Sequence, residues 1–222
     1  MKRGGQVARV REGVFFATPE PLPRGRHGLT RDQVRESQRE RLLIAMTELL
    51  ADAGVGGVGP AEVARRAGVS LAAFYDCFPG KEDCVFAGYD RFIAVLLQQM
   101  LAVDASGLDR PALVRSMLGA YLDTLRSDLV VARAYQVEID GLGARARAQR
   151  RESLLLFARH IREVADGLEG GSARALPESA YIGMVYAARQ LASDALDVEP
   201  APDFATLTAE LTVWLADTFR EQ

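Results

Sequence analysis

The chain contains the run Gly59-Pro-Ala-Glu-Val-Ala-Arg-Arg-Ala-Gly-Val-Ser-Leu-Ala-Ala-Phe-Tyr-Asp-Cys-Phe78. This run predicts a short helix from Pro60 to Ala67, a turn at Gly68 and a second short helix from Leu71 to Phe78. Proline suits the first position of a helix, Ser70 is a natural N-cap for the second helix, and glycine accepts the positive φ of a tight turn. Two short helices joined in this way form a helix-turn-helix, whose second helix can enter the major groove of DNA.

The second helix of the motif has two faces. Phe74 and Phe78 lie four residues apart and are expected to face the core. In a helix-turn-helix, the N-terminal residues of the second helix reach base edges. The candidate DNA-facing residues are therefore Leu71, Ala72, Ala73 and Tyr75.

The motif resembles a known family. The pattern Ala-Gly-Val-Ser-x-x-x-Phe-Tyr-x-x-Phe-x-x-Lys-Glu, from Ala67 to Glu82, is similar to the signature of tetracycline-repressor (TetR) family transcription regulators. The resemblance extends over residues 36–96. The basic run from Leu22 to Leu29 and the later Ser37-Gln38-Arg39 also resemble actinobacterial members of that family.

The resemblance implies a homodimer that binds an operator through two recognition helices and releases it when a small molecule enters the C-terminal domain. It also implies that Tyr75 and Lys81 contact DNA phosphates, while Ser70 and residues 71–73 lie over the bases. Phosphate contacts set the register on the duplex, and base contacts set the sequence preference. The expected partners are double-stranded operator DNA, a small-molecule effector and a second copy of the chain.

Two departures from the family pattern affect how DNA is read. Gly59 and Pro60 stand where the family usually has a Thr or Ser cap, so a hydroxyl–phosphate contact is lost. The side chains of residues 71–73 offer almost no hydrogen-bonding groups. Sequence preference must then come from thymine methyl contacts, backbone amides or DNA shape.

Residues 1–30 are predicted to form a flexible basic arm, because they combine glycines, prolines and arginines without a sustained period. Arg24 and Arg26 lie just before the first helix. Arginines in such arms can enter a narrow minor groove. The alternative is a merely disordered tail.

The rest of the chain shows helical spacing of apolar residues and no convincing two-residue alternation, which predicts an all-α fold of about nine helices. Residues 31–96 are expected to form the DNA-binding domain and residues 97–222 a domain for ligand binding and dimerisation. The predicted helices run from about Thr30 to Ala53, Pro60 to Ala67, Leu71 to Phe78, Glu82 to Val103, Asp109 to Arg126, Ser127 to Gly141, Ala144 to Gly167, Pro177 to Leu196 and Asp203 to Phe219.

Two sets of residues are assigned to the C-terminal domain. Aromatic, Met and His side chains on helices that would surround a pocket predict an apolar effector site with one or two polar anchors; they are Tyr121, Tyr135, Phe157, His160, Met184 and Tyr186. Apolar residues with small neighbours on the last two helices predict the dimer interface, although ordinary intrachain core would look the same. They are Tyr181, Val185, Ala188, Ala192, Leu207, Leu211, Trp214 and Leu215.

Charge is unevenly distributed along the 222 residues. The whole chain has a formal charge of −3, yet residues 1–41 hold ten Lys/Arg against five Asp/Glu, and residues 91–222 hold 14 against 18. A positive end joined to an acidic body suits a protein with one surface for a polyanion. No apolar run is long enough for a secretory or membrane-spanning segment, so a cytoplasmic protein is expected.

Two further patterns are interpreted as structural. Gly54 to Gly59 matches G-x-G-x-x-G, but a dinucleotide-binding fingerprint needs a preceding strand, whereas a helix precedes it here. Cys77 and Cys84 lack the spacing and partners of a zinc site and are expected to be buried thiols. No cofactor, metal or catalytic residue is predicted.

The sequence thus predicts a ligand-responsive transcriptional regulator without enzymatic activity, most simply a repressor. Two alternatives stay open. One is an activator of the same family, and the other is an all-α small-molecule binding protein or enzyme whose DNA site has decayed.

Overall fold

A computed structural model describes residues 8–20, 28–167, 176–198 and 201–218. These residues form nine α-helices and contain no β-strand, which confirms the predicted all-α class. The helices are α1 (Arg31–Ala53), α2 (Pro60–Ala67), α3 (Leu71–Cys77), α4 (Lys81–Leu101), α5 (Arg110–Ser127), α6 (Leu129–Ala132), α7 (Ala144–Asp166), α8 (Glu178–Val198) and α9 (Phe204–Thr218).

The first helix is delimited by local signals. Thr30 and Gln33 form a reciprocal capping box: the Gln33 backbone N–H donates to Thr30 Oγ1 at 3.2 Å, and the Thr30 N–H donates to Gln33 Oε1 at 2.9 Å. These two bonds satisfy donors that the first helical turn leaves unpaired. The helix ends at Gly54, whose φ of +65° suits glycine.

The chain divides into two compact units. Unit 1 comprises the described residues up to Phe92 together with Asp128–Leu142, and unit 2 comprises Ile93–Ser127 with the described residues from Gly143 onward. The division differs from the expected boundary at residues 96/97, since it falls inside α4 and assigns the segment after α5 to unit 1. In unit 2, α5 packs on α9, and α8 packs on both α7 and α9.

The segment Asp128–Leu142 corrects the prediction of one helix from Ser127 to about Gly141. It consists of α6, a π-helical turn (Arg133–Val137) and a 3-10 turn (Glu138–Leu142). Asp128 is the N-cap instead of Ser127, because its Oδ1 accepts hydrogen bonds from the N–H groups of Val130 and Val131. Tyr135 and Ile139 are fully buried in unit 1.

The sequence predicts a flexible arm over residues 1–30, and residues 8–20, called here the N-terminal segment, correct that prediction for their part of it. Residues 1–7 and 21–27 lie outside the described residues. Phe15 and Phe16 are buried, and the Phe15 ring stacks on Phe92 with centroids 5.7 Å apart. The backbone N–H of Val10 donates to Glu48 Oε1 at 3.1 Å, and that of Arg11 donates to Asp128 Oδ2 at 2.7 Å. Burial of two aromatic rings fixes this segment against unit 1.

Candidate nucleic-acid interface

Helices α2 and α3 form a helix-turn-helix. Gly68 ends α2 in the left-handed conformation (φ +68°, ψ +32°), and its N–H donates to Arg65 O at 3.2 Å. The Val69 N–H donates to Ala64 O at 3.0 Å and closes the turn. Val63 and Ala64 are buried, so their small side chains let α2 pack closely on its neighbours. The motif follows the boundaries expected from the sequence.

The N-terminus of α3 offers two exposed apolar side chains. Ser70 Oγ accepts a 3.1 Å hydrogen bond from the Ala73 N–H and caps the helix. Leu71 is 44% exposed and Ala72 is also exposed. Ala73 is buried, which corrects its assignment as a DNA-facing residue: it lies four residues before the buried Cys77, on the inner side of α3.

Tyr75 continues the exposed face of α3. Its side chain is 53% exposed and contacts the edge of Phe74 with ring centroids 5.4 Å apart. Phe74 and Phe78 are buried as predicted, with centroids 6.0 Å apart. The aromatic core thus contacts the Tyr75 ring on one side, while about half of the side chain stays exposed.

Lys81, at the start of α4, has a structural contact that the sequence analysis missed. Its Nζ donates to the backbone oxygen of Val55 at 2.9 Å, so the side chain joins α4 to the turn after α1. An ammonium group has three donors. Two therefore remain for a phosphate. No local sequence signal identifies a side chain bonded to a carbonyl 26 positions away.

The arginines proposed to enter the minor groove, Arg24 and Arg26, lie outside the described residues.

Cys77 and Cys84 are both buried, as predicted. Burial raises the pKa of the Cys77 thiol, and it raises the pKa of Cys84 to about 12. Both groups are therefore protonated at neutral pH and unsuited to act as nucleophiles or metal ligands.

Residues 42–87 match the family described as bacterial regulatory proteins of the tetR family. The chain is also 31% identical over 123 residues to the HTH-type transcriptional regulator EthR of Mycobacterium tuberculosis. The chain belongs to the TetR family. The match covers 54% of this chain and 56% of EthR, so the chain spans little more than half the length of that curated relative.

Solved structures share the fold of this TetR-family chain. The fatty acid degradation regulator FadR of Bacillus halodurans has a TM-score of 0.69 at 18% identity, over 83% of this chain and 97% of FadR. FadR of Bacillus subtilis, determined in complex with stearoyl-CoA, has a TM-score of 0.66 at 16% identity, over 81% and 98% of the two chains. The likeness extends through both units, beyond the TetR-family motif.

The residues assigned to an effector pocket do not all lie in one unit of this TetR-family protein. Tyr135 belongs to unit 1, where it is fully buried and its hydroxyl lies 2.8 Å from Thr47 Oγ1, so its assignment to a C-terminal pocket is wrong. Tyr121, Phe157, His160, Met184 and Tyr186 lie in unit 2.

The unit 2 candidates differ in exposure. Phe157 and Met184 are buried, Tyr121 and His160 are half-buried, and Tyr186 is exposed. The buried Nε2 of His160 has no hydrogen-bond partner within the part of the chain that the structure describes. A buried polar atom without a partner is costly, which makes His160 the candidate polar anchor of this set.

The predicted dimer residues separate into two groups. Five are buried within the single chain and belong to its core, as their pattern equally allowed: Tyr181, Ala188, Ala192, Leu211 and Leu215. Val185 and Leu207 are half-buried, and Trp214 is 50% exposed. Val213, which the sequence analysis did not select, is 66% exposed. The sequence could have identified Val213 as an exposed residue, because it lies next to Trp214 and outside the buried stripe of α9.

Several other site types find no support in the described residues. Gly54 to Gly59 contains a 3-10 turn (Val55–Gly57) and follows helix α1, so no strand precedes it. The described residues contain no cluster of His, Cys, Asp and Glu that could hold a metal ion. Among the described helices, none combines the length and apolarity needed to cross a membrane.

Proposed function

We propose that this protein is a ligand-responsive transcriptional regulator that represses its target genes by binding operator DNA as a homodimer. A small apolar effector bound in unit 2 releases the DNA. The observation that carries this proposal is the capped N-terminus of α3, which exposes Leu71, Ala72 and Tyr75 on a helix-turn-helix. The protein has no catalytic role in this proposal.

The chemistry of α3 favours a particular mode of DNA recognition. Leu71 and Ala72 can contact thymine methyl groups, while Tyr75 and Lys81 contact phosphates. The Ser70 oxygen already accepts a hydrogen bond from Ala73, but its hydroxyl hydrogen remains available as a donor. Arg24 and Arg26 supply minor-groove contacts in this proposal, because the exposed face of α3 has few groups for direct base readout.

The exposed apolar residues of α9 support the homodimer. Trp214 and Val213 are adjacent and both at least half exposed. Large exposed apolar residues next to each other favour an interface. We expect Val213→Arg to give a monomer in light scattering at micromolar concentration and to lose operator affinity. Leu101→Arg, at an exposed position at the end of α4, is the matched control and leaves the dimer intact.

The effector site is assigned to the apolar interior of unit 2, with His160 as a polar anchor. FadR of Bacillus subtilis was determined with stearoyl-CoA, so stearoyl-CoA is the first probe, with its acyl chain as the apolar group that would enter unit 2. Stearoyl-CoA is expected to raise the thermal unfolding midpoint and to release bound DNA, because a ligand that binds the native state stabilises it. His160→Leu should weaken both effects.

The decisive experiment is selection of bound duplexes from random-sequence DNA, followed by binding assays on the enriched sequence. Enrichment of a palindromic site that Leu71→Glu no longer binds supports the proposal. A protein that enriches no sequence, yet binds small molecules, is instead the small-molecule binding protein or enzyme with a decayed DNA site. A reporter placed under the selected site distinguishes repression from activation by the sign of its response.

A further inference from the structure

Three arginines follow one another at four-residue intervals on α1: Arg31, Arg35 and Arg39. Four residues advance a helix by about 6 Å and return close to the same face. The three side chains therefore form one row along the N-terminal half of the helix, called here the α1 arginine row. Arg31 and Arg35 are exposed, and Arg39 is half-buried.

The α1 arginine row borders the C-terminal end of α3. The thiol of Cys77, the last residue of α3, lies 3.8 Å from the backbone oxygen of Arg35, and the Arg35 and Arg39 charges both act on that thiol. The Arg39 guanidinium lies over the ring of Phe78, 4.5 Å from its centroid. Arg35 and Arg39 thus pack on the end of α3, within three residues of the exposed Tyr75.

The acidic residues of the same helix form a separate row. Asp32, Glu36 and Glu40 each follow an arginine by one position, which is about 100° around the helix. Glu40 accepts two hydrogen bonds of 2.6 Å from Arg91 Nη1 on α4. Glu40 is therefore directed towards Arg91 on α4, while Arg39 of the arginine row is directed towards Phe78 at the end of α3.

We propose that Arg31 and Arg35 bind DNA phosphates beside the recognition helix and form a second contact edge of the interface. The inference rests on the proposed function, since it requires α3 to enter the major groove. Because α1 packs on α3, exposed basic side chains of α1 beside α3 can reach phosphates at the edge of that groove. Guanidinium groups suit this position because they donate two parallel hydrogen bonds to a phosphate.

Arg39 has a different role in this arrangement. Its guanidinium is held over Phe78 and gains cation–π energy there. Because Phe78 is buried and is the C-cap of α3, Arg39 positions the end of the recognition helix relative to α1. The phosphate contacts fall to the two exposed members of the row.

The test measures affinity for the duplex enriched by the selection experiment as a function of KCl concentration. Arg31→Gln combined with Arg35→Gln removes four phosphate contacts from a dimer, so the slope of log K against log[KCl] should become shallower by about 3–4. Arg31→Lys with Arg35→Lys keeps the charges and should retain the wild-type slope. Arg115→Gln, at an exposed position on α5, is the matched control for loss of one positive charge.

A slope for the Arg31→Gln/Arg35→Gln variant that equals that of Arg115→Gln would overturn the inference while leaving the proposed function intact. A lysine variant as shallow as the glutamine variant would also overturn it, because a purely structural role of the arginines would then be indicated. A wild-type protein that enriches no duplex overturns the proposed function itself. Thermal unfolding midpoints close to wild type are expected for all variants, since the altered side chains are exposed.

Discussion

The hydroxyl of Tyr135 lies 2.8 Å from Oγ1 of Thr47, in the fully buried interior of unit 1. The Thr47 hydroxyl donates its hydrogen to the Leu43 backbone oxygen at 2.8 Å, so it accepts from Tyr135. This bond joins the π-helical turn between α5 and α7 to the middle of α1. Burial raises the pKa of Tyr135 well above its ordinary value, which keeps the phenol protonated as a donor.

Gly88 makes the position of Tyr135 possible. A Cβ at residue 88 would lie 1.8 Å from the Tyr135 hydroxyl and 2.6 Å from its ring carbon Cζ. We expect Gly88→Ala to destabilise the protein by about 1–3 kcal/mol or more through overpacking. Tyr135→Phe should cost about 1 kcal/mol through the lost hydrogen bond.

The Gly88→Ala/Tyr135→Phe double variant relieves the clash with the hydroxyl and leaves the one with the ring. Its free energy of unfolding, measured in urea, should therefore fall by less than the sum of the single effects. Strict additivity of the two substitutions would contradict the close approach of α4 to the Tyr135 ring.

The N-terminal segment is expected to contribute to stability despite its lack of secondary structure. Phe16→Ala removes a buried ring that lies beneath the Arg91 guanidinium and should cost about 3–5 kcal/mol. Val14→Ala, at an exposed position two residues earlier, should change stability by no more than about 0.5 kcal/mol. Equal effects of the two substitutions in urea unfolding would show that the segment does not pack in solution.

The helix-turn-helix could be predicted because each of its signals is local. Pro60, Gly68 and Ser70 each determine a backbone feature within a few residues of themselves. The burial of Ala73 could also have been predicted from the sequence, since Ala73 shares the inner face of α3 with Cys77, four residues later. Three consecutive residues span about 200° of a helix, so residues 71–73 could not all face DNA.

The features that the sequence did not predict depend on distant partners. The pair Phe15-Phe16 has no periodicity, and its burial depends on Phe92 and Arg91 far along the chain. Tyr135 has the same local pattern whether it lines a pocket or packs on α1. For α8 and α9, an apolar stripe marks burial without identifying the partner, so core and interface residues look alike.

The two cysteines predict a pH dependence of stability. Burial raises the pKa of Cys84 from 9.0 to about 12, so the folded state holds the proton more tightly than the unfolded state. Stability is then unaffected below pH 9 and falls as pH rises from 9 towards 12, by up to about 1.4 kcal/mol per pH unit for this group. Cys84→Ala should lower stability overall and make the loss between pH 9 and 10.5 shallower.

Thiol reactivity gives an independent check on these cysteines. Both are expected to react slowly with a thiol-specific reagent at pH 8 in the native state and rapidly in urea, because the reactive thiolate is disfavoured by burial. Native-state labelling at the rate of the unfolded protein would contradict their burial.

Substitutions of Tyr75 and Lys81 are expected to weaken DNA binding in the same way, but to differ in their effect on the stability of the protein. Tyr75→Phe and Lys81→Met each remove a proposed phosphate contact, so affinity should fall by a similar factor on selected and unrelated duplexes. Tyr75 is 53% exposed, so loss of its hydroxyl should leave the free energy of unfolding nearly unchanged. Lys81→Met also removes the bond to Val55 and should cost about 1 kcal/mol.

Arg65→Gln is a useful comparison for these two variants, because Arg65 is exposed on α2 and its 3.9 Å ion pair with Glu62 lies at the surface. Such a pair contributes little to stability. The three variants therefore separate the effects: Lys81→Met should alter both stability and affinity, Tyr75→Phe should alter affinity alone, and Arg65→Gln should leave stability nearly unchanged. A change in sequence preference after Tyr75→Phe, with unselective binding preserved, would assign Tyr75 to base readout instead of phosphate contact.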